Sequence, residues 1–415
     1  MRRSEIARRL VARLATSGSE DRFTLREAGR SETFGATPSS SSGSQSGPAS
    51  SPASGPVVDV LDPRVYEAVL RGGSAALGET YAQGWWDTDD LTAVLRTLFR
   101  RTERSLEWRD AISNRTAAAH RAAAALRRPD QQADRANIRA HYDLSNEFFE
   151  VMLDPTMAYS CGIFASEATS LHEASIAKFE RVCTQLDLGP ADHLVEIGTG
   201  WGGFAIYAAQ NYGCQVTTTT ISGEQFDFAA KRIADAGLTD RISLRSDHYR
   251  ELPGSYSKLV SIEMIEAVPW WQLDDYFEAV HRLLKPGGLA VIQAITMNDA
   301  SYERSKRRID FIRKYIFPGS NLPSVAAMRA SATRHDLHME RLTDIGSHYP
   351  PTLRAWSRNV VDHRAAISEL APHLDRPHFQ RQWQFYLCYC EAAFLERHIS
   401  VVHAVWSRSG STNAL

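Results

Sequence analysis

The chain has 415 residues, enough for two or three domains, and its charges nearly cancel, with 47 Lys and Arg against 49 Asp and Glu and a formal net charge of −2. This balance argues against nucleic acid as a partner, because nucleic-acid-binding proteins usually show a strongly basic footprint, and no run of about 18 apolar residues suggests a transmembrane helix. The cysteines are irregularly spaced without a CxxC pair, so they predict neither a disulfide framework nor a zinc site and fit a reducing cytoplasm: Cys161, Cys183, Cys214, Cys388 and Cys390.

The N-terminal segment MRRSEIARRLVARLATSG is basic but lacks the apolar core of a signal peptide, and it predicts a short amphipathic helix. Such a helix either packs on its own domain or touches a membrane surface. Residues 22–28 and 56–62 have the composition of strands. The Ser-, Gly- and Pro-rich stretch at 36–56 has almost nothing to bury, and we predict that it is a disordered insertion in a hairpin formed by these two strands.

The next part of the chain, residues 63–139, has the composition of helices. Residues 63–99 are predicted to be mostly helical, with a turn at 71–73. Residues 100–139 contain ten arginines against five acidic residues, in alanine-rich runs that favour helix. Either a solvated linker helix or a basic face lying on anionic lipid explains this composition. We therefore predict a smaller, mostly helical N-terminal domain over residues 1–135, with an Arg-rich linker helix at 100–135.

From about residue 137 the pattern alternates between strands and helices, which is typical of a parallel sheet with helices on both faces. We predict an α/β fold with a Rossmann-like, doubly wound sheet. In such folds the ligand binds at the carboxyl ends of the strands. The predicted strands are 193–198, 214–222, 241–247, 257–264 and 289–296, and the predicted helices are 223–237 and 272–284.

A glycine-rich turn, EIGTGWGG, follows the first of these strands. Glycine allows a tight turn and a close approach of the backbone to a ligand. The GxGxG spacing is weaker evidence for a dinucleotide than GxGxxG. The next strand also ends in threonines, whereas nicotinamide sites usually have an acidic residue there for the ribose hydroxyls. The turn therefore predicts a ligand other than a dinucleotide.

This turn, together with LLKPGG before the last strand, resembles the class I methyltransferases that use S-adenosylmethionine (SAM). Three further stretches look like the cyclopropane fatty-acyl-phospholipid synthase family, which includes the mycolic acid cyclopropane synthases. The resemblance covers residues from about 140 to 409 and extends weakly into the N-terminal domain, implying a lipid-binding N-terminal domain and a catalytic domain at 136–409. The three stretches are HYDLSNEFFEVMLDPTMAYSCGIF, VSIEMIEAV and KYIFPGSNLPS.

The resemblance implies the chemistry. A one-carbon unit from SAM is added across the double bond of unsaturated acyl chains in membrane phospholipids, and a bound bicarbonate removes the proton that closes the cyclopropane ring. It also implies a peripheral enzyme at the cytoplasmic face of the membrane, in contact with anionic lipid, and a homodimer, which is common in the family.

The same resemblance implies site residues. Those near the double bond and the bicarbonate are Cys161, Glu266, Gln293, Ile295 and Tyr349. Those near the cofactor are Tyr159, Ser160, Glu196, Gly198, Gly200, Gly202, Thr220, Gln225, Asp247 and His248. In this scheme Glu266 orients the bicarbonate, Tyr349 is the tyrosine partner of Glu266, and the backbone of Ile295 contacts the ion. A proton shared between a carboxylate and a bound anion would raise the apparent pKa of one of these two groups.

Two departures from the family pattern bear on the product. Gln293 stands where the family usually has a histidine that binds bicarbonate, and Ala267 follows Glu266 where the family has histidine. Glutamine can donate a hydrogen bond to an anion but cannot take up a proton. The carbocation could therefore end as a cyclopropane or, after a hydride shift, as an exocyclic methylene that is a precursor of mid-chain methyl-branched acids of the tuberculostearic type.

Other interpretations stay open at this point. Cys161 could be an inert buried thiol, Glu266 a helix cap and Tyr349 a packed core residue. Trp270 and Trp271 could cover the sheet or line an acyl tunnel. At the level of function, the alternatives are a soluble SAM methyltransferase that acts on a small amine or phenol, and a lipid-binding scaffold that has lost catalysis.

Overall fold

The computed structural model describes Arg8 and residues 22–34, 55–100, 145–370 and 376–410. Most of the predicted N-terminal helix, insertion and Arg-rich linker lies outside these residues, as does the predicted domain boundary at 135/136. The described residues belong to two compact units. The first unit contains residues from the N-terminal region together with Ile309–Lys314 and α11, which the sequence analysis assigned to the catalytic domain. The remaining described residues form the second unit.

The strands are β1 Phe23–Glu27, β2 Arg30–Phe34, β3 Val57–Val60, β4 Trp86–Asp87, β5 His193–Ile197, β6 Gln215–Thr219, β7 Ile242–Arg245, β8 Tyr256–Ile262, β9 Leu284–Met297, β10 Leu337–Asp344 and β11 Ile399–Arg408. The labelled helices are α1 Arg64–Ala82, α2 Asn146–Met152, α3 Leu171–Gln185, α4 Gly203–Tyr212, α5 Gly223–Asp235, α6 Leu273–Leu283, α7 Asp299–Ser305, α8 Val325–Arg334, α9 Tyr349–Asp362, α10 Arg364–Leu370 and α11 Pro377–Leu395. Residues 91–100 are also helical.

In the first unit, four strands are ordered β2-β1-β3-β4. The predicted hairpin between residues 22–28 and 56–62 is wrong, because β1 and β3 pair in parallel. The hairpin partner of β1 is β2, reached through Ala28 and Gly29 with φ of 47° and 77°. A two-residue turn with positive φ matches the twist of paired antiparallel strands, so the chain reverses directly after β1.

Aromatic rings and one close backbone approach hold this unit together. Trp86 packs on Tyr81 with ring centres 4.9 Å apart and meets Phe385 of α11 edge-on. A Cβ at Gly78 of α1 would lie 2.2 Å from the ring of Phe311, so only glycine fits there. Helix α1 contains a kink at Gly73, where the sequence analysis places a turn and the backbone has φ 59° and ψ −138°.

The second unit contains a seven-stranded sheet in the order β10-β11-β9-β8-β5-β6-β7. Strands β9, β8, β5, β6 and β7 are parallel, and β11 and β10 add antiparallel pairs beside β9. The chain proceeds from β5 outward to β7 and then returns to β8 on the other side, which is the doubly wound arrangement that the sequence predicts. Strands β10 and β11 were not predicted.

Alternate side chains of the central strands pack on opposite faces. Leu194, Val216 and Val260 face α3, α4 and α5 in one apolar cluster. Val195 and Leu259 face α6 and α8 in the other. Burial on both faces explains why these strands are rich in apolar and β-branched residues.

The loops after β5, β6, β7 and β8 follow the carboxyl ends of neighbouring parallel strands, so they lie along one edge of the sheet. The strand order reverses between β5 and β8, which is the position where doubly wound sheets bind ligands. Within the described part of the chain, no helix combines the length and apolar character needed to cross a bilayer.

Candidate active site

The glycine turn after β5 has three left-handed glycines. Gly198, Gly200 and Gly202 have φ of 100°, 53° and 87°, which side chains disfavour. The backbone N–H groups of Gly198 and Thr199 donate to the carbonyl oxygen of Thr219 at the end of β6, over 3.1 and 3.0 Å. A Cβ at Gly200 would meet no protein atom within 4 Å. The turn is therefore tied to β6, and the space beside Gly200 is free of protein.

Glu196 lies within β5 and is buried, with 3% of its surface exposed. Its carboxyl accepts a hydrogen bond from Thr218 Oγ1, which lies 2.6 Å from Thr199 Oγ1. Burial raises the pKa of Glu196 to about 8, since a charged carboxylate is poorly solvated there. Burial therefore favours the protonated form of Glu196, and its hydrogen bond connects the first two strand ends of the crevice.

Polar side chains also follow β6 and β7. Thr220 Oγ1 donates to Gln225 Oε1 over 2.9 Å in the first turn of α5. Arg245 lies 2.8 Å from the carboxylate of Asp247, and this hydrogen bond lowers the pKa of Asp247. His248 is buried and packs against the ring of Tyr249, with ring centres 4.5 Å apart. Eight of the ten predicted cofactor residues thus lie at or next to three neighbouring strand ends, whereas Tyr159 and Ser160 lie between α2 and α3.

These features fit SAM. Gly200 leaves space for a ligand close to the backbone, and Thr220, Gln225 and Asp247 place hydroxyl, amide and carboxylate groups after the adjoining strands. Such groups can pair with the polar atoms of an amino acid and a nucleoside. The assignment of individual residues to parts of the cofactor stays a prediction.

A second group of polar side chains surrounds Glu263, the residue that directly follows β8. Glu263 Oε1 accepts hydrogen bonds from the backbone N of Cys161 at 2.9 Å and from Gln293 Nε2 at 2.7 Å. Glu263 Oε2 accepts a hydrogen bond from the hydroxyl of Tyr349 at 2.6 Å. Three of the five residues predicted near the double bond therefore converge on Glu263, which the sequence analysis did not select.

Gln293 lies on β9 with none of its surface exposed. Its Oε1 is 2.9 Å from His403 Nε2, and His403 Nδ1 is 2.9 Å from the side-chain amide of Gln185. Burial lowers the pKa of His403 to about 3, so this ring is neutral. Because His403 occupies the oxygen side of the Gln293 amide, the amide nitrogen faces Glu263.

Glu266 follows in a short 3-10 helix and has a different partner. Its Oε1 accepts from the backbone N of Ile295, whereas its buried Oε2 has no hydrogen-bond partner among the described residues. Burial, reinforced by the negative charge of Glu263, raises the pKa of Glu266 to about 8. Tyr349, the implied partner of Glu266, donates instead to Glu263. Glu266 also does not cap a helix, because its side chain bonds to β9.

The YSC triplet, which consists of Tyr159, Ser160 and Cys161, lies beside the same cluster. The thiol of Cys161 is fully buried, and burial raises its pKa well above the ordinary value, so it is not a nucleophile; its backbone N–H is what contacts Glu263. Lys178 of α3 is also fully buried and donates to Ser160 Oγ over 2.6 Å. The ring of Tyr159 packs against Trp356, with centres 5.0 Å apart, and against Phe149.

Sequence reasoning missed Glu263 and Lys178. The signal for Glu263 was present in EMIEAV, where two glutamates lie three residues apart and the first directly follows a strand. The signal for Lys178 was a charged residue one turn from Ala174 and Val182, on the apolar face of its helix.

The bicarbonate that the resemblance implies does not fit these residues. Cys161, Gln293 and Tyr349 all donate to Glu263, and the backbone of Ile295 donates to Glu266. Each group assigned to the ion is thus already bound to a glutamate. A bicarbonate beside Glu263 would also bring a second negative charge next to a carboxylate that already holds these donors.

The comparison with protein families agrees with this geometry. The model described as mycolic acid cyclopropane synthetase matches residues 129–404. The chain belongs to this family. It is a SAM-dependent methyltransferase, as the glycine turn and the LLKPGG motif predict. A tuberculostearic acid methyltransferase of Mycobacterium tuberculosis is 35% identical over 354 residues, covering 82% of this chain and 80% of the relative. A cyclopropane-fatty-acyl-phospholipid synthase of Escherichia coli is 36% identical over 364 residues, covering 86% and 89%.

Solved structures of the mycolic acid cyclopropane synthase family share the fold. The cyclopropane synthase MmaA2 from Mycobacterium tuberculosis has a TM-score of 0.61 and 26% identity, covering 66% of this chain and 98% of that protein. Mycolic acid cyclopropane synthase CmaA1, complexed with SAH and CTAB, has a TM-score of 0.59 and 28% identity, with the same coverage. The class I methyltransferase fold predicted from the sequence is confirmed.

Proposed function

We propose that this methyltransferase adds a one-carbon unit from SAM to the double bond of unsaturated acyl chains in membrane phospholipids. The observation that supports this best is the group formed by the half-buried Glu263 with the buried Glu266, Gln293 and Tyr349, which follows the same sheet edge as the glycine turn. An alkene is a weak nucleophile, and its methylation leaves a carbocation. A site for this reaction therefore needs to exclude water and to provide a proton acceptor.

The chain's own residues suit these needs. SAM, when bound, supplies an electrophilic methyl group on its sulfonium. Gly198, Gly200 and Gly202 would hold the cofactor beside the end of β5. The ring of Tyr159, the first residue of the YSC triplet, packs against Trp356, and such rings stabilise a cation by about 1–2 kcal/mol each when water is excluded.

The names of the relatives support an acyl substrate. Each of the two relatives described above aligns with more than four-fifths of this chain, and their names specify a fatty-acyl phospholipid and tuberculostearic acid. These relatives differ in product, so ring formation and an exocyclic methylene are both candidates. Gln293 does not decide between them, because each product requires the loss of one proton from the transferred methyl group and an amide cannot accept it.

Contact with a membrane is part of the proposal. In the second unit, the cations of Lys306 and Arg307 lie 4.8 and 5.2 Å from the ring centre of Trp270. The neighbouring Trp271 is 42% exposed. Indole rings beside basic side chains are typical of surfaces that meet lipid headgroups. We propose that this surface contacts anionic lipid at the cytoplasmic face; the lipid-binding N-terminal domain and the homodimer stay predictions.

A labelling experiment separates lipid from soluble substrates. The protein is incubated with methyl-labelled SAM and monounsaturated phospholipid vesicles, and in parallel with a soluble amine and a soluble phenol. Label is expected in the fatty acyl esters alone. Label in the amine or phenol with none in lipid would instead establish the soluble small-molecule methyltransferase, and absence of label from all three would support the scaffold. Hydrogenation and fragmentation distinguish a ring from an exocyclic methylene.

A further inference from the structure

Glu263 occupies the hydrogen-bonding position that the resemblance gives to bicarbonate. Its two carboxylate oxygens accept from Cys161 N, Gln293 Nε2 and Tyr349 OH, over 2.9, 2.7 and 2.6 Å. A carboxylate and a bicarbonate share a planar O–C–O group with one negative charge. We propose that the Glu263 carboxylate is the proton acceptor of the reaction and that the enzyme works without bicarbonate. This inference rests on the proposed function.

The backbone at Glu263 is a second, independent observation. Its φ is 49°, in the left-handed region that side chains other than glycine, Asn and Asp rarely adopt. This conformation is strained for a residue that carries a side chain. It is held by the hydrogen bond from Glu263 N to the carbonyl oxygen of Gln293, over 2.8 Å. Strain of this kind persists mainly where function needs a side chain in one position.

The charges around Glu263 are consistent with one negative charge in the cluster. The titratable groups that interact with it are Lys178, Glu266, the Cys161 thiol and the Tyr349 hydroxyl. Burial raises the pKa of Glu263, but its three hydrogen bonds and the positive charge of Lys178 act in the opposite direction. Burial and the charge of Glu263 raise the pKa of Glu266 to about 8, and Glu266 accepts one backbone hydrogen bond. Three hydrogen bonds to Glu263 favour its charged form more than this single bond favours that of Glu266.

The proton transfer balances without any further reactant. The π electrons of the alkene form the new bond to the methyl carbon, and the sulfonium–methyl bond breaks with its electron pair remaining on sulfur. The lipid cation then loses a proton from the transferred methyl group to Glu263, which becomes a neutral carboxylic acid. The released C–H electron pair closes the ring or, after a hydride shift, forms the exocyclic double bond. Water later removes the proton from Glu263.

Two substitutions at Glu263 distinguish the role of its carboxylate as proton acceptor from the effect of its strained backbone. Glu263→Gln keeps the shape and an oxygen for the Cys161 and Gln293 donors, but it cannot take up a proton. Glu263→Gly relieves the positive φ and leaves the three donors facing a space where a carboxylate stood. We expect the glycine variant to accept bicarbonate in that space. Glu278→Gln, at an exposed position of α6, is the matched control.

The experiment measures lipid methylation in carbon-dioxide-free buffer, with and without added bicarbonate. The wild-type protein and Glu278→Gln are expected to be equally active in both buffers. Glu263→Gln is expected to lose about 100-fold in turnover, a typical contribution of a general base, while keeping its affinity for SAM. Glu263→Gly is expected to be inactive without bicarbonate and to recover when bicarbonate or formate is added. A wild-type protein that needs bicarbonate, or a fully active Glu263→Gln, would overturn the inference.

A binding measurement distinguishes failure of this inference from failure of the proposed function. If the wild-type protein labels no lipid in either buffer, the proposed function fails. The position of Glu263 can still be tested by line broadening of carbon-13 bicarbonate in NMR. Broadening is expected with Glu263→Gly and not with the wild-type protein. Equal broadening by both proteins would show that Glu263 does not occupy the anion position.

Discussion

At the scale of single residues, Gly200 gives a direct test of where the cofactor lies. Its φ is 53°, and a Cβ added there would meet no protein atom within 4 Å. Gly200→Ala therefore costs roughly 1 kcal/mol in backbone strain, and the new methyl group meets only a ligand. We predict that Gly200→Ala folds and that its affinity for SAM, measured by calorimetry, falls at least tenfold.

Gly237 provides the control for this prediction. It has φ of 67°, lies in an exposed turn after α5 and also has no protein atom within 4 Å of an added Cβ. Gly237→Ala therefore introduces the same backbone cost away from the site. Equal SAM affinities for Gly200→Ala and Gly237→Ala would show that no ligand approaches Gly200.

Glu196 predicts a dependence of stability on pH. Its folded pKa of about 8 exceeds the ordinary value of 4.5, so the native state keeps a proton between these values that the unfolded state releases. The free energy of unfolding must then fall as the pH rises through this window. Glu196→Gln is neutral throughout. From about pH 6 to about pH 8 we predict that the wild-type protein loses roughly 2 kcal/mol relative to Glu196→Gln.

Urea denaturation at the two pH values measures this difference, with Glu278→Gln as an exposed control. The control is expected to follow the wild-type protein at both pH values. If Glu196→Gln also follows the wild-type protein, then Glu196 is ionised in the folded state and burial does not set its charge.

Site residues could be predicted where they belong to a short sequence motif. The hydrogen-bond partners of these residues could not be predicted. The glycine turn and the YSC triplet fall at the strand-end crevice and beside the carboxylate cluster. Tyr349, however, lies 86 positions beyond Glu263 in the chain, and the sequence does not state which of two nearby glutamates it reaches. Only the left-handed backbone at Glu263 turns that carboxylate toward the three donors.

At the scale of elements, the loop before α6 and the end of α7 form the proposed membrane surface. Trp271 exposes 42% of its surface beside Trp270, whose ring lies under Lys306 and Arg307. Transfer of part of an indole ring into a headgroup region is worth about 1–2 kcal/mol. We predict that Trp271→Ala weakens binding to anionic vesicles by roughly tenfold in a sedimentation assay.

Leu342 on β10 is the matched control, because it is a large apolar residue with 41% exposure in the same unit. Leu342→Ala should leave vesicle binding unchanged. If both variants bind vesicles as the wild-type protein does, the surface around Trp271 is not the lipid contact.

The elements that could be predicted are those with an unambiguous pattern. Strands β5, β6, β8 and the second half of β9 are apolar or β-branched runs followed by turn residues, and they fall where the sequence places them. Strand β10 is mostly exposed and polar, so no hydrophobic alternation marks it. The wrong hairpin had a similar cause, because composition identifies β1 and β3 as strands but does not specify whether they pair in parallel.

At the scale of the whole molecule, the family is evident from motifs distributed over the second unit. The sequence did not predict which segments of the chain form the first unit. Helix α11 and Ile309–Lys314 belong to that unit although they lie far along the chain. Phe311 and Phe385 pack together there with ring centres 4.6 Å apart. Local periodicity in the sequence does not show that segments so far along the chain pack into the same unit as N-terminal residues.

The central claim is that this methyltransferase adds carbon to an acyl double bond and then removes a proton from the added methyl group. The most direct test uses SAM with a fully deuterated methyl group and vesicles of a monounsaturated phospholipid, followed by mass spectrometry of the acyl esters. The account predicts an acyl chain that gains a CD₂ unit, because one deuteron is lost to the enzyme. Acyl chains of unchanged mass, or chains that keep all three deuterons, would contradict it.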